Sequence, residues 1–219
     1  MMMIVAMAVC CMAANAQNEV GQLTLQPKIG LNLANITDIK VKTHSLSKDT
    51  ESGSLKSEFA IGLEAEYGLA EKFSVAAGVL YSRQGTDLGE VRVFGNPDGS
   101  VSEGWDKYQI SLGYLNIPVV ANFYFAKGWA IKAGIQPGFL LSAKRKVDGL
   151  GTTKSEDVDL KDTSKSFDLS IPLGISYEFN NHIVIDGRYN LGVTKINKNG
   201  EQSCKNGVIQ LTLGYKFAL

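Results

Sequence analysis

From residue 25 to the end, apolar residues return at every second position in one segment after another, and the links between segments alternate between very short and long. A period of two is the β-strand period, because successive side chains point to opposite faces of a sheet. In the first segment Pro27, Ile29, Leu31 and Leu33 alternate with Lys28, Gly30, Asn32 and Ala34. The second sets Phe59, Ile61, Leu63, Ala65 and Tyr67 against Ala60, Gly62, Glu64 and Glu66, and the third runs Phe73, Val75, Ala77, Val79 and Tyr81. The fourth, 108–125, changes phase: Tyr108, Ile110, Leu112 and Tyr114 are even, whereas Leu115, Ile117, Val119, Ala121, Phe123 and Phe125 are odd. One extra residue near Tyr114, a β-bulge, is expected to keep a single face apolar. Four further segments begin at Trp129, Phe167, Ile183 and Ile209, the last closing on Leu213, Tyr215 and Phe217.

Eight segments of this kind describe either a sandwich or a barrel, and three features decide between them. The links near 69–72, 126–128 and 180–181 are very short, whereas those at 37–56, 85–107, 145–165 and 197–206 are long and polar. Short turns on one side and long loops on the other are the pattern of an outer-membrane barrel, and an even strand number puts both ends of the chain on the short-turn, periplasmic side. Aromatic residues gather beside the short links and the C-terminus (Tyr67, Phe73, Phe123, Phe125, Trp129, Tyr177, Phe179, Tyr215, Phe217), with a looser second ring of Phe59, Tyr81, Tyr108, Phe139, Phe167 and Tyr189. Two such rings match the aromatic girdles at the membrane surfaces. The opposite phase carries charges at mid-strand. The expected fold is therefore all-β: an eight-stranded antiparallel up-and-down transmembrane β-barrel with short periplasmic turns and long extracellular loops.

The first sixteen residues read as a signal peptide, leaving 17–219 as the barrel domain. Ile4 to Ala13 is an uninterrupted apolar run, and Ala14-Asn15-Ala16 offers small residues for cleavage. No Lys or Arg precedes the run, so the amino terminus supplies the positive charge or the start lies upstream. Val9 before Cys10 and Cys10 before Cys11 do not suit a lipoprotein signal. After residue 17 no stretch of 18 apolar residues remains for a transmembrane helix. The formal net charge is zero, with 22 basic and 22 acidic residues, so no basic field exists to hold nucleic acid.

Four segments carry a family likeness: YLNIPVVANFYF (114–125), AIKAGIQPGFLLSAK (130–144), RYNLGVTKI (188–196) and LTLGYKF (211–217). They resemble, in order and over essentially the whole mature chain, the PorT-like outer-membrane β-barrel family of Bacteroidetes. The Tyr-Leu-x-Ile-Pro start of the fourth segment is the most specific part. The resemblance implies a signal peptide, here one for Sec export, an eight-stranded barrel and an outer-membrane address, while Leu213-x-Tyr215-x-Phe217 reads as the signal for the barrel-assembly machinery. It also makes secretion-machinery components one class of partner, beside outer-membrane lipid and lipopolysaccharide.

Candidate chemistry is sparse, and no catalytic, cofactor-binding or metal-ligating set is identified. His44 sits near Ser45, Ser47 and Asp49, the residue types of a general base, but in a Ser/Lys/Asp-rich loop it reads as a solvated histidine. His182 falls at a short periplasmic turn, the wrong side for lipid-modifying chemistry, and Cys204 is the single cysteine of the mature chain. Asn96-Pro97-Asp98-Gly99 signals a turn at the tip of the second long link, and residues 144–165 mix Lys and Arg with acids. The inward charges Glu64, Glu66, Lys132, Asp168, Glu178, Asp186, Arg188 and Lys216 are the candidate site, a luminal network of ion pairs. Eight strands enclose a space that side chains about fill, so the expected function is a non-enzymatic barrel with a structural, adhesion or secretion-associated role. A narrow passive pore is the alternative, and a lipid-modifying enzyme ranks below it.

Overall fold

The computed structural model describes residues 20–37, 54–94, 103–149, 156–198 and 204–219. The signal segment, His44 and Asn96–Gly99 lie outside them. Among the described residues eleven strand elements build the sheet. They are β1 Leu23–Thr37, β2 Lys56–Ala70, β3 Phe73–Phe94, β4 Glu103–Asn116, β5 Val119–Ala126, β6 Trp129–Gly149, β7 Glu156–Asp159, β8 Phe167–Glu178, β9 Ile183–Gly192, β10 Lys205–Tyr215 and β11 Phe217–Ala218. β4 and β5 are one stave broken at Ile117-Pro118, and both halves pair with β3 and β6. Pro118 has no N–H to give to a ladder, so the break falls in the Tyr-Leu-x-Ile-Pro motif. β7 continues the β8 stave along β6, and β11 continues β10 along β1. Eight antiparallel staves result, and β10 pairs with β1 from Lys28↔Gly214 to Thr37↔Lys205, which closes the ring. Closure leaves no edge strand to satisfy, the condition for a sheet to cross a membrane.

Burial inverts the pattern of a soluble protein. Ile29, Leu31, Ile135 and Leu211 are each more than half exposed on the outer face, while Glu64, Asp186 and Arg188 are buried within. So extensive an apolar surface belongs in lipid rather than water. Aromatic rings meet along both rims. At the short-turn end Phe125, Trp129, Tyr177 and Phe179 form a continuous run with centroids 6.5, 4.8 and 4.7 Å apart, and Tyr215 meets Phe217 at 4.7 Å. At the loop end Phe59 packs on Tyr81 and Phe139 on Phe167, both at 5.8 Å. The turns at the short-turn end are tight: Gly128 takes φ +76° and His182 φ +63°.

Two expectations change. The extra residue of the fourth stave lies across the ladder from where it was expected. Pairing jumps from Gly113↔Ser142 to Tyr114↔Leu140, so Leu141 of β6 is the bulged residue. Along β6 the inward phase accordingly passes from Leu140 to Ala143. The even residues of the fourth stave stay inward, so Leu112 and Tyr114 are 3% and 1% exposed inside the barrel instead of facing lipid. They belong to an apolar cluster with Ile36, Leu140, Ala143 and Ile196, edged by Ile110, Leu160 and Cys204. The second correction concerns the links at 85–107 and 145–165, which are partly strand: β3 pairs with β4 as far as Phe94↔Glu103, and β7 pairs with β6. Above a membrane both faces of a hairpin meet water, so the ladder continues where the hydrophobic alternation stops.

Candidate functional site

The site is the lumen itself, and it is layered along the barrel axis. In the middle, β1 supplies Lys28, β2 Glu64, β6 Lys132, and β9 both Asp186 and Arg188, all on the inward phase. Asp186 and Arg188 share a face because they are two apart on one strand. Arg188 Nη2 donates to both Glu64 carboxylate oxygens at 2.9 Å, and Arg188 Nε donates to Asp186 Oδ1 at 2.8 Å. Lys132 Nζ donates to Asp186 Oδ2 at 2.8 Å, and Lys28 Nζ lies 3.1 Å from Glu64 Oε1 and 3.6 Å from Asp186 Oδ2. Buried charge is tolerated when it is paired and hydrogen-bonded in this way. Gly174, paired with Arg188 across the wall, leaves room for the guanidinium stem: a Cβ there would meet Arg188 Cγ at 2.9 Å and the Gly187 carbonyl oxygen at 2.5 Å.

Toward the short-turn end lies a second ionic layer. Lys216 Nζ is 2.8 Å from Glu178 Oε2 and 3.1 Å from Glu66 Oε2. Glu66 also accepts hydrogen bonds from the Ser74 and Tyr124 hydroxyls, and His182 Nδ1 lies 3.6 Å from Glu178. The middle layer holds three cations against two carboxylates, and this layer holds one cation against two. The two imbalances are opposite in sign and cancel.

Toward the loops the filling becomes neutral and then apolar. Gln210 Nε2 donates to Asn32 Oδ1 at 2.9 Å, Asn32 Nδ2 donates to Ser82 Oγ at 2.9 Å, and Gln136 Nε2 donates to Ser170 Oγ at 3.2 Å. Above these, the apolar cluster around Leu112 and Tyr114 caps the loop end.

The lumen thus brings together Glu64, Glu66, Lys132, Glu178, Asp186, Arg188 and Lys216, but not Asp168. Asp168 sits at the loop end of β8, where Thr194 Oγ1 donates to it at 2.5 Å and Asn206 Nδ2 at 2.8 Å. Sequence reasoning omitted three participants: Lys28, Ser74 and Tyr124. Lys28 carried a usable signal, since it shares the inward phase of β1 with Asn32. The other two are uncharged, and nothing in their spacing marks them as partners of Glu66. Among the described residues no group of three or more His, Cys, Asp and Glu is placed to hold a metal ion.

Comparison with known proteins agrees with this architecture. Residues 15–198 match the family described as outer membrane protein beta-barrel domain. No curated protein matches the sequence. Solved structures that the chain resembles include the attachment invasion locus protein Ail of Yersinia pestis, at 16% identity and TM-score 0.48, covering 91% of this chain and 100% of that one. Neisserial surface protein A is similar at 14% identity and TM-score 0.46, covering 89% and 97%. The outer membrane protein W of E. coli is similar at 12% identity and TM-score 0.37, covering 91% and 99%. The family match spans most of the chain and accords with the closed eight-stave ring and its apolar outer face: this protein belongs to the outer membrane protein beta-barrel domain family and resides in the outer membrane.

Proposed function

We propose that the protein is a non-enzymatic barrel with a closed lumen that works through its outer surface and loops, in a structural, adhesion or secretion-assembly role. One observation carries the reading: among the described residues an ion-paired middle and an apolar cap lie in the interior, which supports a lumen closed to water and ions. Purified protein in planar lipid bilayers is expected to give no steady conductance. A stable ohmic conductance from the unmodified protein would overturn the closed-lumen reading and promote the narrow pore.

The outer surface favours lipopolysaccharide as a partner. Lys144, Lys165 and Lys195 are exposed just beyond the lipid-facing Leu141, Phe167 and Val193, at the height of anionic headgroups. Within the family, the Tyr114–Pro118 motif supports placement among the PorT-like barrels of Bacteroidetes, and Leu213-x-Tyr215-x-Phe217 supports delivery by the barrel-assembly machinery. Sec export follows from the Ile4–Ala13 run, and protein recovered from outer membranes is expected to begin at Gln17 on N-terminal sequencing. An intact residue 1–16 segment on that protein would remove the signal-peptide reading.

A further inference from the structure

Asp168 is the exception in the lumen. Glu64, Glu66, Glu178 and Asp186 each have a cationic partner within 4 Å, whereas among the described residues Asp168 has none. Those four carboxylates and their four cations already balance, so Asp168 adds one uncompensated negative charge. It is only 7% exposed. Its side-chain hydrogen bonds, from Thr194 and Asn206, come from neutral donors and bring no positive charge.

Beside it lies a polar void of about 10 Å³, lined by Asp168, Asn116, Gln136, Ser170, Asn190 and Asn206 among others. That is room for about one water-sized sphere. Two of the lining side chains leave an oxygen unused: Oδ1 of Asn190 and Oδ1 of Asn206 are buried without a hydrogen-bond donor, in residues 3% and 4% exposed. The Asn206 amide is held in this sense because its Nδ2 faces the Asp168 carboxylate, which can only accept. A buried carboxylate, two idle amide oxygens and further hydroxyl and amide groups therefore converge on one void of atomic size.

We propose that this void is a binding site for a dehydrated alkali-metal cation, held by Asp168, Asn190 and Asn206 at the loop end of the lumen. A single carboxylate among neutral oxygens matches one positive charge. Calcium-type sites gather more carboxylates and six to eight oxygens, and magnesium retains several waters for which about 10 Å³ has no room. A water molecule would satisfy the amide oxygens but leave the Asp168 charge uncompensated in a buried place. The proposal goes beyond the closed-lumen reading and does not depend on it, since a cation can be held whether or not ions pass.

The test uses the full mature barrel refolded in detergent, with heat unfolding followed in sodium or potassium chloride and in N-methylglucamine chloride at equal ionic strength. The organic cation is too large for the void. Because a ligand bound only to the folded state raises its stability, saturating sodium or potassium is expected to raise the midpoint by about 2–4 °C. Asp168→Asn should abolish that rise. Asn190→Ala keeps the carboxylate, covers the case in which the first variant fails to fold, and should move the half-saturating concentration up by about tenfold. Equal midpoints in all three salts would overturn the site, leaving Asp168 to a proton or a water. An alkali effect that persists in Asp168→Asn, or an unchanged half-saturation in Asn190→Ala, would overturn it equally, because the cation would then bind elsewhere.

Discussion

Replacing Arg188 by alanine is expected to destabilise the folded barrel by about 3–5 kcal/mol, the usual cost of removing one partner from a buried ion pair. The guanidinium bridges β9 to β2: it holds both oxygens of Glu64 and at the same time Asp186 on its own strand. Alanine removes these bonds and leaves two carboxylates to Lys28 and Lys132, neither of which can grip a carboxylate in a planar fork. Urea titration of wild type and variant in the same bilayer or detergent gives the difference. Arg188→Lys should fall between them, since charge is kept while the two-pronged geometry is lost. In planar bilayers the alanine variant should also show brief openings as water enters beside the carboxylates that have lost the guanidinium. A loss below about 1 kcal/mol, the scale of an exposed surface pair, would show that ion pairing does not hold the lumen together.

The second large effect concerns the outer face. Leu173 lies mid-way along β8, paired with Ala133 and Tyr189, and is 48% exposed on the apolar surface. Leu173→Arg is expected to destabilise the barrel by about 2–4 kcal/mol, as a guanidinium near the bilayer midplane does. The same experiment on Ser170, which is 7% exposed and bonded to Gln136, tests interior packing instead. Unfolding in lipid at matched conditions measures both. If arginine at 173 were tolerated as well as at a loop position, the lipid-facing assignment of β8 would fail.

The outer face was legible from the sequence because lipid imposes one demand on every second residue of every stave, and Leu63, Val79, Ile135 and Leu173 all answer it. The interior was legible only in composition. Glu64 and Arg188 could be assigned to the lumen by phase, yet their pairing depends on how staves 124 residues apart are brought round the ring. Leu112 and Tyr114 were misplaced for a related reason. An apolar residue capping the inside of a barrel has the same hydropathy as one facing lipid, and only the bulge at Leu141 in the neighbouring strand separates the two cases. Asp168 looked like its fellow acids by phase, but its position at the loop end of β8 carries it away from Lys132 and Arg188.

The closing seam between β1 and β10 also fixes when the interior can form. Its registers join residues 28–37 to residues 205–214, so the ring stays open until the last strand has been made and delivered. Contacts this distant in sequence are slow to form, because the chain between them must be ordered before they contribute. Lys28, on the seam itself, must meet Glu64 and Asp186, while Lys216 joins Glu66 and Glu178 from the other side of the seam. Until then these six charges remain hydrated in an unfinished trough. Drying of the interior and closure of the wall are therefore a single late event in biogenesis, and a chain arrested before β10 carries its charges in water with two unpaired edges.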